Sequence, residues 1–272
     1  MANAQSAQAD LIVHAIDELP EVDAYIVATP TILHGEVVLR LTGRGVPIYC
    51  EKPLTSDIGF ARQIVEMAAD HVFVMDKWRY HAGVHALRDL ARSGEFGPVL
   101  GIKTVRLQWG CPHDDVDPAW ILLPHDLTIA LEILGFLPKP LHAIVESDED
   151  GLFGLSAWLS GPAWLQCEVG IRSPQYKRLI ELRCRDGVAL LADSYDQHIS
   201  TLRSNRGARH RDAPAWERRP FADSMPLMAE IAAFVAYVAG TGPKPKSSAL
   251  EGLQVVETIA KLRQMAGMID SL

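Results

Sequence analysis

Three short apolar runs constrain this chain more than any other feature: AYIVA at 24–28, VPIYC at 46–50 and HVFVM at 71–75. Each is continuous rather than alternating and rich in β-branched or aromatic residues, so the strand it forms must be buried on both faces, as in a parallel sheet. Between them Leu33 to Leu41 reads as a helix, and Ser56 to Ala69 sets Ile58, Ala61, Ile64, Val65 and Ala68 on one side at helical spacing. Strands alternating with helices through short connections predict a doubly wound parallel α/β layer.

The pattern changes after Gly97. A helix over Gly83 to Ser93, stopped by Gly94, precedes Val99 to Trp109, where Leu100, Ile102, Thr104 and Arg106 share one parity and predict a long antiparallel strand. Further strands are expected at 141–146, 154–159, 164–171, 179–184 and 188–193, with an apolar helix at 124–134 and two closing helices at 226–239 and 249–268. The polar stretch 205–219, with Arg206, Arg209, Arg211, Arg218 and Arg219, reads as an exposed excursion. The expected division is a parallel-sheet domain over residues 1–98 and an α+β domain with an open antiparallel sheet over 99–272.

A net charge of -8 opposes a nucleic-acid partner, because phosphate-backbone binding needs a basic face. Cys50, Cys111, Cys167 and Cys184 lie far apart with no CxxC pair, which suggests neither a zinc site nor a disulfide framework and fits a reducing cytoplasm. The first residues carry no basic and apolar leader, and no stretch approaches the roughly 18 apolar residues of a membrane span. A cytoplasmic protein without a membrane partner is expected.

In order along the chain, ATPTILH (28–34), YCEKPLT (49–55), the segment 76–97, WILLPHDLTIALEILG (120–135), SPQYKRLIELRCRDG (173–187) and PLMAEIAAF (226–234) resemble the glucose-fructose oxidoreductase/inositol dehydrogenase (Gfo/Idh/MocA) superfamily. Each motif is weak alone; their order and spacing carry the resemblance. It implies a Rossmann-type domain binding NAD or NADP, then an open sheet that shapes a pocket for a sugar, nucleotide sugar or cyclitol. Such sheets often mediate assembly, so a homo-oligomer, dimer or tetramer, is implied.

The resemblance also assigns residues. Lys52 and His125 match the family's catalytic lysine and acid/base histidine. Thr29, Pro30, His34, Glu51, Lys52, Pro53 and Arg79 fall at cofactor-side positions, and Trp78, Tyr80, Trp120, Lys177 and Arg178 at substrate-side ones. The residues themselves support part of this. Lys52 follows a buried strand and precedes a proline that fixes the backbone, so its ammonium is held over the crevice at the strand ends. His125, behind Pro124, reads as the start of an apolar helix whose dipole favours neutral imidazole; a buried core histidine is the competing reading. Asp126 reads as a helix cap. Thr-Pro at 29–30 is also an ordinary strand stop, and Lys177 with Arg178 suits an anionic substrate or a solvated hairpin. His81 and His85 are spaced i,i+4 but lack a carboxylate partner, so no metal site is expected.

Two departures from the family pattern weaken the implied activity. Relatives place an aspartate where this chain has Ile121, and an apolar side chain cannot relay a proton; Asp117 is a candidate replacement if its loop folds back. The GxGxxG turn that binds pyrophosphate is expected to be lacking, since Gly43-Arg44-Gly45 follows a helix and reads as a turn. The reading is therefore an NAD(P)-type oxidoreductase with weakened or altered dinucleotide binding. The alternatives are a non-redox ligand-binding or structural protein on this scaffold, or a cofactor-independent acid/base enzyme using Lys52 and His125.

Overall fold

A computed structural model describes residues 9–111, 115–149, 151–204, 215–223 and 225–268. The three apolar runs form β1 (Tyr25–Val27), β2 (Ile48–Glu51) and β3 (Val72–Met75), a parallel sheet in the order β1-β2-β3. Helices α1 (His34–Thr42) and α2 (Ile58–Ala68) connect them, and Asp57 caps α2 by accepting from the Phe60 amide at 2.9 Å. The inner strands β2 and β3 are covered on both faces, but the expected double burial fails at edge strand β1, where Ile26 between buried Tyr25 and Val27 is 55% exposed. Val38, Leu41, Ala61 and Ile64 join Val27, Ile48, Cys50 and Val74 in the main core. On the opposite face Phe234 of α5 (Pro226–Val238) stacks on Tyr49 with ring centroids 4.6 Å apart.

After α3 (Ala82–Ser93), closed by Gly94 in the left-handed conformation, comes an eight-stranded sheet. It comprises β4 (Val99–Trp109), β5 (Lys139–Asp148), β6 (Gly151–Ser160), β7 (Trp164–Gly170), β8 (Arg172–Cys184), β9 (Gly187–Leu191), β10 (His198–Arg203) and β11 (Glu217–Pro220). The spatial order is β11-β10-β9-β8-β4-β7-β6-β5. The expected antiparallel sheet is in fact mixed: β4 pairs antiparallel with β8 but parallel with β7. That parallel contact is possible because a long crossover containing α4 (Pro118–Leu134) lies between β4 and the hairpins that lead to β7. Gly101 makes room for the crossing, since a Cβ there would lie 2.1 Å from the Trp164 ring.

Two further expectations change. The polar excursion is not all loop: Arg218 and Arg219 lie in edge strand β11, while Arg206, Arg209 and Arg211 fall outside the described residues. The apolar helix begins at Pro118, not Pro124. Its cap is Asp117, which accepts from the Ala119 amide at 2.9 Å, and Pro118 occupies the first turn where a missing N–H costs nothing. Helices α4 and α6 (Ala249–Met265) cover the inner face of the large sheet. Among the described residues no helix is long and apolar enough to cross a membrane.

Candidate functional site

The carboxyl ends of the parallel strands carry Thr29, Glu51 with Lys52, and Asp76 with Lys77 to one side of the small sheet. Two cavities open there. One, of about 620 Å³, lies against the strand ends and is lined by Thr29, Pro30, His34, Glu51, Met75 and Glu230 among others. The other, of about 740 Å³, is walled by the large sheet through Arg106, Gln108, Tyr176 and Arg178, with Trp78 and Ile121 beside them. Lys52, Lys77, His125 and Leu227 line both. Ligand crevices of open α/β sheets sit at this end of the strands.

Lys52 is partly buried, and its Nζ donates to the Ile121 carbonyl at 3.1 Å while its backbone amide donates to Glu51 Oε2 at 3.1 Å. Burial pulls the Lys52 ammonium below its usual pKa, against the opposing pull of Glu51 and Asp76. The departure at Ile121 thus has a structural counterpart: its side chain is 4% exposed, and its backbone carbonyl holds the lysine. The Lys52–Pro53 peptide is cis. The His34 ring nitrogens lie 2.8 Å from the Pro53 carbonyl and 2.9 Å from that of Thr29, so His34 fastens the β1 and β2 loops together.

His125 sits well inside α4, so the dipole argument from the helix start fails. Its pKa is nonetheless held well below the ordinary value, first by burial and then by Lys52, Arg106, Lys77 and Arg178. The neutral imidazole expected from the sequence is reached by a different cause. Asp126 does not cap the helix either; it accepts from Arg106 Nη2 at 3.0 Å in a buried ion pair, with the guanidinium 4.7 Å over the Trp78 ring. Asp117 is occupied as the true cap and pairs with Arg263 at 2.7 Å, so it does not stand in for the aspartate relatives carry at Ile121.

Several residues assigned from the sequence lie outside both cavities. Arg79 is tied to Glu132 at 3.3 Å and Glu251 at 2.9 Å. The Tyr80 hydroxyl accepts from the Lys246 amide at 2.9 Å. Trp120, 3% exposed, lies in the core beneath Arg263. Lys177 lines neither cavity, whereas its neighbour Arg178 does. His81 accepts from the Gly83 amide at 3.0 Å as a helix cap, and no metal-binding cluster occurs among the described residues.

Sequence reasoning missed Arg106, Lys77 and Glu230. A signal existed for Arg106, because its parity with Ile102 sets a charge on the buried side of β4. Glu230 gave none; it sits in an apolar helix, fully buried, beside Tyr49 and Asp76. Burial and then Asp76 push the Glu230 carboxyl up to about 8, and burial raises Asp76 to about 7.

The small sheet is thus a parallel layer of Rossmann type with a cavity at its strand ends walled by an open mixed sheet. Residues 2–75 match the profile of the oxidoreductase family with an NAD-binding Rossmann fold. The chain is 37% identical over 84 residues to inositol 2-dehydrogenase 1 of Paenarthrobacter aurescens, covering 29% of this chain and 25% of that protein. It is 29% identical over 204 residues to an inositol 2-dehydrogenase of Streptomyces avermitilis, covering 68% of this chain and 58% of that protein. Its aligned stretch is 28% of the length of the first curated relative, an oxidoreductase of Streptococcus pneumoniae, which it matches at 33% identity.

The fold is similar to that of UDP-N-acetylglucosamine 3-dehydrogenase from Acidithiobacillus ferrooxidans, with a TM-score of 0.80 at 23% identity over 97% of this chain and 85% of that one. It is also similar to levoglucosan dehydrogenase in complex with NADH and levoglucosan, with a TM-score of 0.78 at 15% identity over 93% of this chain and 80% of that one. Residues 2–75 thus match the Gfo/Idh/MocA oxidoreductase family, and the chain is similar to inositol 2-dehydrogenases over part of their length.

Proposed function

We propose that this chain acts in NAD(P)-linked oxidation or reduction of a sugar-like polyol, with Lys52 and His125 as its acid/base pair. The carrying observation is that both residues line both cavities, so one pair of groups faces a cofactor side and a substrate side at once. The relatives include inositol dehydrogenases, and the similar structures include sugar and nucleotide-sugar dehydrogenases.

The strand-end cavity suits the nicotinamide–ribose end of a dinucleotide: Thr29, Pro30 and His34 form its rim, and Lys52 faces it. Its described lining contains no glycine-rich turn, so the pyrophosphate would be held by residues outside this set. When bound, the nicotinamide supplies or takes up a hydride at the substrate carbon. Lys52 would polarise the reacting hydroxyl or carbonyl oxygen from a fixed position. His125, kept neutral, would take the hydroxyl proton in oxidation and return it in reduction. The free thiols of Cys50, Cys167 and Cys184 are buried, which suits a reducing cytoplasm.

Titration with NADH and with NADPH tests the cofactor. Fluorescence enhancement and a raised unfolding midpoint are expected with one of them; ligand at a hundred times its dissociation constant stabilises by about 2.7 kcal/mol. No response to either would remove the redox reading for this chain. A second reading, acid/base chemistry without a dinucleotide, is favoured by Ile121 in place of a carboxylate. Product formed from a polyol substrate without added cofactor would establish it.

A further inference from the structure

Arg106 on β4 and Arg178 on β8 stand directly opposite each other in the strand register, and they are only 3% and 8% exposed. Like charges paired across strands are destabilising, and burying them raises the cost. Asp126 offsets Arg106 at 3.0 Å. Arg178 has no carboxylate at ion-pair distance among the described residues. Its Nη1 donates to the carbonyls of Leu107 at 2.8 Å and Lys177 at 2.9 Å, its Nη2 donates to the Gln108 side chain, and its guanidinium lies 4.2 Å over the Tyr176 ring. Those neutral partners fix the guanidinium in place without cancelling its charge.

The rest of the cavity does not supply the missing anion in full. Lys52 and Lys77 line it with the two arginines, and among the described residues Asp196 and Asp223 are the carboxylates on its wall. Asp196 already accepts from the Asp193 amide at 3.1 Å. Glu51 and Asp76 act on Lys52 and Asp126 on Arg106, so among the described residues Arg178 is the buried cation of this wall with no carboxylate at ion-pair distance. The same four cations depress the basicity of His125 on the cavity wall. A negative charge brought in by a ligand would both complete Arg178 and restore basicity to His125.

We propose that the substrate-side cavity selects a sugar-like molecule bearing an anionic group, carboxylate or phosphate, seated against Arg178, with exposed Lys77 as the cation that draws it in. The proposal rests on the preceding reading only in taking this cavity as the substrate side. Its test uses thermal unfolding without cofactor at matched ionic strength, comparing D-glucuronate, D-glucose 6-phosphate and D-glucose on the wild-type chain, Arg178→Gln and Lys77→Gln. At least one anionic sugar should raise the midpoint, with glucose at least about tenfold weaker by the derived dissociation constants. Whichever anionic sugar acts tells carboxylate from phosphate. The shift should vanish in Arg178→Gln and shrink in Lys77→Gln, whose exposed side chain leaves the fold intact if Arg178→Gln proves unstable. An equal or larger shift with glucose, no shift with either anionic sugar, or a full shift surviving in Lys77→Gln would overturn the proposal. Because no dinucleotide is present, either result leaves the NADH titration to stand or fall separately.

Discussion

Lys52 is held by a backbone carbonyl rather than a carboxylate, and this shapes what its removal should do. Lys52→Ala deletes one hydrogen bond at a cavity wall, so stability should fall by about 1 kcal/mol while turnover falls about 100-fold or more. His125→Ala should show the same division between steady-state kinetics and denaturant unfolding; equal losses in both would make these residues structural. His125 also sets a pH dependence. Its folded pKa lies below its unfolded value, so below about pH 6.5 the unfolded chain binds a proton the native chain does not. Stability should therefore fall as pH drops through that region, and His125→Gln should flatten this part of the unfolding-versus-pH curve.

At the scale of elements, α5 and α4 each carry a buried carboxyl that burial pushes up, one without an ion-pair partner among the described residues and one paired to an arginine. Glu230 on α5 is pushed up to about 8, so between roughly pH 4.5 and 8 the native chain holds a proton that the unfolded chain has released. Native stability should decline as pH rises across that window, and Glu230→Gln should gain on the wild type most at pH 8, as read by chemical denaturation. Asp126 on α4 is pushed up by burial too, but it also offsets a buried cation. Asp126→Asn leaves Arg106 uncompensated between α4 and β4 and should cost about 3–5 kcal/mol of unfolding free energy. A loss under about 1 kcal/mol would mean that the pair is solvated in solution.

For the whole molecule, the outer face of the large sheet carries exposed apolar and aromatic side chains. Trp158 is 42% exposed, forms a tilted aromatic pair with Trp164 at 5.6 Å, and shares that face with exposed Ile144. We propose that this face joins copies of the chain, because contiguous exposed apolar patches with paired aromatics mark interaction surfaces. Light scattering should give a dimer or tetramer, and Trp158→Asp should shift it toward monomer; a monomeric wild type would remove the idea.

What the sequence determined by itself was local. Continuous apolar runs at 24–28, 46–50 and 71–75 give the three parallel strands, of which β2 and β3 are buried on both faces, and the ordered motifs around Lys52 and His125 carry the resemblance to the superfamily. Its misreadings were also local choices between near-equal signals. Two prolines compete to start α4, and only the capping Asp117 before Pro118 decides between them. Tertiary structure decided whatever depends on residues far apart in the chain. The parallel pairing of β4 with β7 needs the crossover to be placed in space, and Arg106 meets Arg178 only through the β4–β8 register. The neutral state of His125 follows from burial among four cations drawn from separate elements, not from its place along a helix. Such terms scale with distance and burial, which spacing along the sequence does not encode.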